Sequence, residues 1–259
     1  MTLKENNYPR NIYRVLQDYF RVREVILQEG VFTRCRAQTW GCPEGSVLGP
    51  TIWNLVFNDL LRDIKTNTEG SPTAYADDLA IVIGGANRLE IQAKARSCVS
   101  RTQGWCGKHK LYISAQKSCF IQLKGTFKQD DTPDIRLEDG TAIKMVQTAT
   151  YLGVEIDKGA RFHTHCVNVG GKAKKSFQKF KSIAKSKWGL EHESLLAIYQ
   201  SIFVPTIMYG AGAWAAYATL QDVRKLTMAQ RAALLTVTGA YRTVSEPALL
   251  VIANVRTIK

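Results

Sequence analysis

The chain has 259 residues of which 45% are apolar, enough to bury the core of one large domain or two small ones, and this argues against a disordered tail. Its 35 Lys and Arg against 22 Asp and Glu leave a formal net charge of +13, the balance of a protein that meets polyphosphates or an anionic membrane surface. Six cysteines (Cys35, Cys42, Cys98, Cys106, Cys119 and Cys166) without paired spacing read as reduced intracellular thiols, not as a zinc ribbon. Met1–Arg10 lacks an apolar signal core, so secretion is not expected. No stretch approaches the roughly 20 apolar residues of a membrane span. Leu195–Trp214 is interrupted by Tyr199, Gln200, Ser201, Pro205 and Gly210, and the expectation is a soluble chain, cytoplasmic or nuclear, with no membrane partner.

Along the chain, Ile12, Val15, Leu16, Tyr19 and Phe20 fall at helical spacing and predict a helix over Ile12–Leu27, running toward Gly30. Val31–Trp40 reads as a strand with Val31, Thr33, Cys35 and Ala37 on one face. The Gly/Pro-punctuated loop Gly41–Pro50 precedes a helix over Thr51–Arg62, where Pro50 suits the first turn. Thr73–Ile83 is apolar except for Asp77-Asp78 and predicts a β-hairpin with the acids at its turn; Leu89–Lys108 returns to helical periodicity. Short strands are predicted at Cys119–Leu123, Ile135–Leu137 and Thr150–Ile156, with turn signals at Asp130–Pro133 and Asp139-Gly140. Helices over Val169–Lys187, Glu193–Val204, Leu220–Thr238 and Glu246–Ala253 complete the chain. The change of pattern near Asp157–Arg161 gives an α+β region over residues 1–157 and a helical extension over 158–259.

Asp77-Asp78 is the motif with chemistry in it. Two adjacent carboxylates in an apolar strand–turn–strand resist ionising together, and a divalent cation removes that penalty. Mg²⁺ favours one or two carboxylates plus substrate phosphates, the combination that nucleotidyl transfer uses. The plain alternative is a solvated Asp-Asp turn; the apolar flanks Ala74–Ala76 and Leu79–Ile83 favour a hairpin seated in a core.

Around this hairpin several blocks resemble, in order, the reverse transcriptases of non-LTR (type 1) retrotransposable elements. The run Gly41-Cys42-Pro43-Glu44-Gly45-Ser46-Val47-Leu48-Gly49-Pro50, continuing through Trp53-Asn54 and Asn58–Leu61, is similar to the family's substrate-binding loop and helix, and Ala74–Asp78 to its catalytic hairpin. Trp105–Lys117 resembles the segment whose lysine lies near the incoming nucleotide, and Thr150–Val154 the primer-grip region. Tyr199…Pro205-Thr206…Tyr209-Gly210…Trp214 and Gln230-Arg231…Gly239–Thr243 resemble blocks downstream of the palm.

The resemblance implies a partial polymerase palm, an antiparallel sheet with packed helices, followed by a thumb-like helical region. It implies an RNA-directed DNA polymerase using RNA template, DNA primer, deoxynucleoside triphosphates and two Mg²⁺ ions, within a Pol polyprotein that also carries an endonuclease. Asp77 would be the chief metal ligand, with Asp78 assisting, Gly45 and Ser46 shaping the nucleotide pocket, and Tyr75 beneath the nucleotide or primer terminus. Glu44 stands where the family has Gln, adding negative charge beside phosphates. Another catalytic aspartate is implied on an earlier palm strand. Upstream of Glu44, Asp18 and Glu24 fall in the predicted first helix and Glu5 and Glu29 flank it, so the chain reads as a C-terminal fragment with an incomplete metal site. The competing reading is a catalytically inactive nucleic-acid-binding fragment.

Lys117 has two readings, proton donor to the departing pyrophosphate or ordinary strand-edge lysine. Lys172, Lys174, Lys175, Lys179, Lys181, Lys185 and Lys187 share one predicted helix with Phe177, Phe180 and Ile183 on its apolar side. They form either a solvated face or a grip on the template–primer backbone. His163, His165 and Cys166 lack a fourth zinc ligand at usable spacing, and Trp53 and Trp105 read as core residues.

Overall fold

The computed structural model describes residues 9–38, 41, 45–125, 132–184 and 190–258, with backbone only for 181–184. The chain packs as two units, Met1–Ala115 with Pro133–Ala142, and Gln116–Thr132 with Ile143–Lys259. The second unit includes Ile143–Asp157 together with the helices that follow.

In the first unit, helix α1 (Arg10–Tyr19) is followed by the antiparallel hairpin of β1 (Glu24–Glu29) and β2 (Phe32–Ala37). The first helix is thus shorter than expected. The apolar periodicity stops at Phe20, and Val25 and Ile26, β-branched residues that suit a pleated strand, lie in β1. Glu24 and Glu29 accordingly belong to a strand, not to the helix or its flanks.

Helix α2 (Gly49–Asn67) starts with Pro50 in its first turn and runs a turn beyond the expected end. The hairpin β3 (Gly70–Tyr75) and β4 (Asp78–Ile83) follows, then α3 (Arg88–Lys108), whose N-cap Asn87 accepts from the Glu90 N–H. Leu60, Ile64 and Cys98 are essentially inaccessible and, with Phe57 and Trp105, form the core on which the hairpin rests. Burying each such aliphatic side chain contributes roughly 1.5–3 kcal/mol. The pairs Gly70–Ile83, Pro72–Ile81 and Ala74–Leu79 form the inward face, and Tyr75–Asp78 lies on the outward one. Ile135–Leu137 contributes only an isolated bridge, Arg136 to Ala142, where a strand was expected.

In the second unit β5 (Cys119–Phe120) pairs in parallel with β6 (Lys144–Met145), a strand the sequence did not reveal. Strands β7 (Thr148–Tyr151) and β8 (Val154–Asp157) form a hairpin where a single strand over Thr150–Ile156 was expected. Leu152 and Gly153 both have positive φ (48° and 77°), the pattern of a type I′ turn.

Helix α4 (His163–Ala184) begins six residues before the predicted start because the Asp157 carboxylate accepts from the Arg161, Phe162 and His163 N–H groups. Its buried stripe Cys166, Val169, Ala173 and Phe177 packs on α8 (Leu220–Thr238) through Leu226, Ala229, Ala233 and Val237. Helix α8 has the predicted bounds: Thr219 and Asp222 form a reciprocal capping box, and Gly239 closes the far end in the left-handed conformation.

Between them run α5 (His192–Ile198), a π turn (Tyr199–Phe203), α6 (Val204–Met208), α7 (Ala211–Trp214) and a 3₁₀ turn (Ala215–Tyr217); α9 (Glu246–Ile252) ends the series. Contrary to the expectation from sequence, the 26-residue run His192–Tyr217 is long and apolar enough, by length and composition, to cross a membrane. Its polar interruptions are too few to lower the average, and a core helix has the same composition. Leu195, Tyr199, Phe203 and Ile207 recur every four residues and are buried in the core of this unit.

Among the described residues there are four two-stranded sheets, three antiparallel and one parallel, and the overall class is mixed helix with small sheets.

Candidate active site

The hairpin β3–β4 turns on two residues, Ala76 and Asp77, with Tyr75 and Asp78 as the closing pair. Of the two, only Ala76 has positive φ (51°), which a residue with a β-carbon adopts at a cost. Positive φ at the first position alone is the pattern of a type II′ turn, where Gly is the usual residue. Asp77 and Asp78 are exposed, and neither carboxylate pairs with another described side chain. Tyr75 is 66% exposed, so its ring is available above the open face of the sheet and not packed within the unit.

What fixes this turn lies behind it. The Trp53 indole Nε1 donates to the Ala76 carbonyl at 2.7 Å. Trp53 stacks on Phe57 at 5.1 Å and meets Trp105 edge-on at 6.4 Å, so the core reading of both tryptophans holds, with a polar contact added for Trp53. Helical periodicity signals such a core position and carries no sign of where the indole N–H is aimed. Nearer the surface, Arg101 Nη1 bridges α3 to both Asp63 oxygens of α2 at 2.8 and 3.0 Å, both side chains being part-exposed. Burial alone would raise the Asp63 carboxyl, but the hydrogen bonds from Arg101 and Asn67 outweigh it and hold the group below its ordinary value.

The loop before α2 enters through Gly45, at φ 75°, and Ser46, whose hydroxyl is hydrogen-bonded to the Tyr19 hydroxyl of α1. Arg23 Nη1 donates to the Gly41 carbonyl at 2.7 Å and ties the start of β1 to the same loop. Helical spacing marked Tyr19 only as an apolar position, and nothing in the sequence marked Arg23, since these two contacts join residues 27 and 18 positions apart. Glu44 lies outside the described residues, as do Lys185 and Lys187.

Tyr75, Asp77 and Asp78 are therefore brought together on one turn, and Gly45 and Ser46 open the helix that touches it. Lys117 is exposed on a turn preceding β5, in the second unit. Lys172, Lys174, Lys175 and Lys179 are exposed on α4, opposite its buried stripe, and Lys181 follows on the same helix.

His163, His165 and Cys166 do not converge as metal ligands. His163 Nδ1 contacts the buried Asp222 carboxylate at 2.5 Å, while His165 Nδ1 accepts from the Glu155 N–H at 3.2 Å and its ring packs edge-on against Trp214. Burial, reinforced by Lys172 and opposed by Glu155, lowers the His165 pKa. Cys166 is fully buried and its thiol is pushed up to about 11, chiefly by desolvation. No group of three or more His, Cys, Asp or Glu suited to a metal occurs among the described residues.

The downstream sequence blocks are structural fasteners. The Tyr209 hydroxyl donates to the Leu152 carbonyl at 3.1 Å, and Gly210 passes so near Val154 that a β-carbon would lie 2.8 Å from its Cγ2. Buried Gln230 donates to Tyr199 Oη and the Arg256 carbonyl, both at 2.8 Å, and accepts from the Ile258 N–H. Arg231 Nη2 donates to the Arg242 and Val244 carbonyls.

An acidic turn on a strained hairpin, backed by the helix of a glycine-containing loop, lies inside residues 2–156, which match the family profile described as reverse transcriptase (RNA-dependent DNA polymerase). The chain belongs to that family. More particularly, it is 28% identical over 92% of its length to a 115 kDa protein in type-1 retrotransposable element R1DM of Drosophila melanogaster, covering 23% of that protein. It is 29% identical over 83% of its length to the retrovirus-related Pol polyprotein from type-1 retrotransposable element R1 of Bradysia coprophila, covering 21%. It is 23% identical over 90% of its length to the RNA-directed DNA polymerase from mobile element jockey of Drosophila melanogaster, covering 26%. The chain thus spans about a quarter or less of the length of these relatives.

Proposed function

We propose that the chain is the part of a non-LTR retrotransposon reverse transcriptase that carries the catalytic carboxylates, acting in extension of a DNA 3′-hydroxyl along an RNA template with deoxynucleoside triphosphates. The observation that carries this reading is the exposed Asp77-Asp78 pair on a strained turn, within the stretch that matches the family.

Two carboxylates that pair with no cation among the described residues suit Mg²⁺ as part of a coordination shell completed by phosphates and by ligands from elsewhere. Bound there, divalent ions would supply charge neutralisation at the attacking hydroxyl and the leaving pyrophosphate, as in two-metal nucleotidyl transfer. Asp77 is the chief ligand and Asp78 assists. Gly45 and Ser46 shape the nucleotide pocket, Glu44 alters its charge, and Tyr75 packs beneath nucleotide or primer end. Lys117 protonates the departing pyrophosphate, and Lys172, Lys174, Lys175, Lys179, Lys181 and Lys185 hold the hybrid's phosphates. Residues 1–157 are the palm portion and 158–259 the thumb-like portion. The chain works in the cytoplasm and nucleus within a larger Pol polyprotein that also carries an endonuclease, as the resemblance implies.

The chain by itself binds nucleic acid without polymerising. This second reading is supported by Asp77 and Asp78 having no third described carboxylate gathered with them. Primer extension on an RNA template with Mg²⁺, comparing the chain with an Asp77→Ala, Asp78→Ala variant, tests both readings. Extension lost in the variant establishes the carboxylates as catalytic and refutes inactivity. No extension, with salt-dependent hybrid binding equal in the two proteins, supports the binding-only reading. Equal extension by both refutes the assignment of the site.

A further inference from the structure

The turn that presents Asp77 and Asp78 is one its own sequence does not favour. Two-residue hairpin turns draw on Asn-Gly, Asp-Gly or Gly-X, whose residues reach positive φ freely, and here the position is Ala76 at φ 51°. Something outside the turn must hold it. Trp53 is the described residue placed to do so: its single polar atom, Nε1, donates to the carbonyl of Ala76 at 2.7 Å. The indole cannot easily turn away. It lies parallel to Phe57 (5.1 Å, 19°) and edge-on to Trp105 (6.4 Å, 82°), and Trp105 is in turn stacked on His109 (4.1 Å, 29°). Phe57 and Trp105 belong to the core shared by α2 and α3. A purely space-filling role accounts for the stacking but leaves unexplained why the N–H meets the one carbonyl that belongs to the strained residue.

We propose that Trp53 is a positioning residue for the catalytic carboxylates, holding the Ala76–Asp77 turn in its strained conformation through the indole N–H and so fixing where Asp77 and Asp78 project. This rests on the reading of those carboxylates as metal ligands. Trp53 touches neither carboxylate and acts through the Ala76 carbonyl alone.

Trp53→Phe in the 259-residue chain keeps a ring on Phe57 and removes the donor. Should that variant fail to fold, 3-benzothienylalanine at position 53 preserves the shape of indole with sulfur in place of N–H. Two readouts separate positioning from packing: amide hydrogen exchange by NMR, and Mn²⁺ affinity by electron paramagnetic resonance, with the Asp77→Ala, Asp78→Ala variant as reference. Loss of one hydrogen bond predicts about fivefold faster exchange of the Asp78 amide, which closes the turn, while Phe57–Ile64 exchanges as before. Mn²⁺ affinity falls by a similar factor. Unchanged Asp78 exchange overturns the proposal, and so does faster exchange with unchanged Mn²⁺ affinity, since the turn would then move without consequence for the carboxylates. Mn²⁺ affinity of the parent chain no greater than that of the double variant removes the metal reading instead, whatever Trp53 does.

Discussion

Replacing Gly70 by Ala tests how closely the strand that leads to the acidic turn must approach the core. Gly70 does not adopt positive φ, so the backbone itself would accept a side chain. Space is what forbids it. A β-carbon there would lie 2.8 Å from Cys98 Sγ, 2.9 Å from Ile81 Cγ2 and 3.3 Å from Thr68 Oγ1. Cys98 is 1% exposed and its thiol donates to Thr68 Oγ1, which also accepts from the Gly70 N–H, so little can yield. Overpacking of this kind costs about 1–3 kcal/mol, and the smaller entropy of the unfolded Ala chain returns roughly 0.4–1 kcal/mol. The net expectation is a loss of about 1–2 kcal/mol in the first unit. Amide hydrogen exchange of the α2 turn Leu60–Ile64, whose end residues are buried, reads it without interference from the second unit. Cys98→Ala removes the nearest obstacle, and the double variant should be more stable than the two single losses added together by about 0.5–1 kcal/mol. A Gly70→Ala chain as stable as the parent, or additive behaviour of the pair, would refute the close-approach argument.

Two further outcomes follow from the second unit. His165 is held neutral with its pKa below the ordinary value near 6.5, so the unfolded chain binds more protons as pH falls through about 6.5. Its contribution is therefore complete above that pH and shrinks below it, and urea midpoints of this unit should drop between about pH 7 and pH 5; His165→Asn should flatten the profile, and an equally steep one in the variant would sink the idea. Changing Lys172, Lys174, Lys175 and Lys179 to Gln should weaken hybrid binding and lower the slope of log affinity against log salt by up to about 3, measured by fluorescence anisotropy. An unaltered slope would leave these four as a solvated face.

The acidic hairpin was readable in sequence because the apolar flanks on either side of Asp77-Asp78, of which Ala74, Leu79, Ile81 and Ile83 face the core, leave the acids at the turn. Helix α8 was readable because Thr219, Asp222 and Gly239 mark both its ends locally. What escaped notice was decided at a distance. Leu152-Gly153 looked like the middle of one strand, since Leu is a poor turn residue, and the clamp that makes it a turn comes from Tyr209. Helix α4 starts early because Asp157, beyond an irregular connection, caps it. Apolar spacing places Trp53 in the core and carries no information that its one polar atom reaches Ala76.

Ala76 and Leu152 form a pair: each is a non-glycine turn residue at positive φ, and each gives its carbonyl to an aromatic donor from another element. Their partners lie 23 and 57 residues away along the chain, Trp53 before its turn and Tyr209 after. Synthesis order therefore treats them differently. When Ala76 leaves the ribosome its partner is already made, and the hairpin can close against an existing helix. Leu152 must wait 57 residues for Tyr209, about 3–11 s at ordinary translation rates of roughly 5–20 residues per second. Through that interval the β7–β8 hairpin has its strands but not its fastener, so a pause within those residues prolongs the time that its unclamped turn is exposed to misfolding.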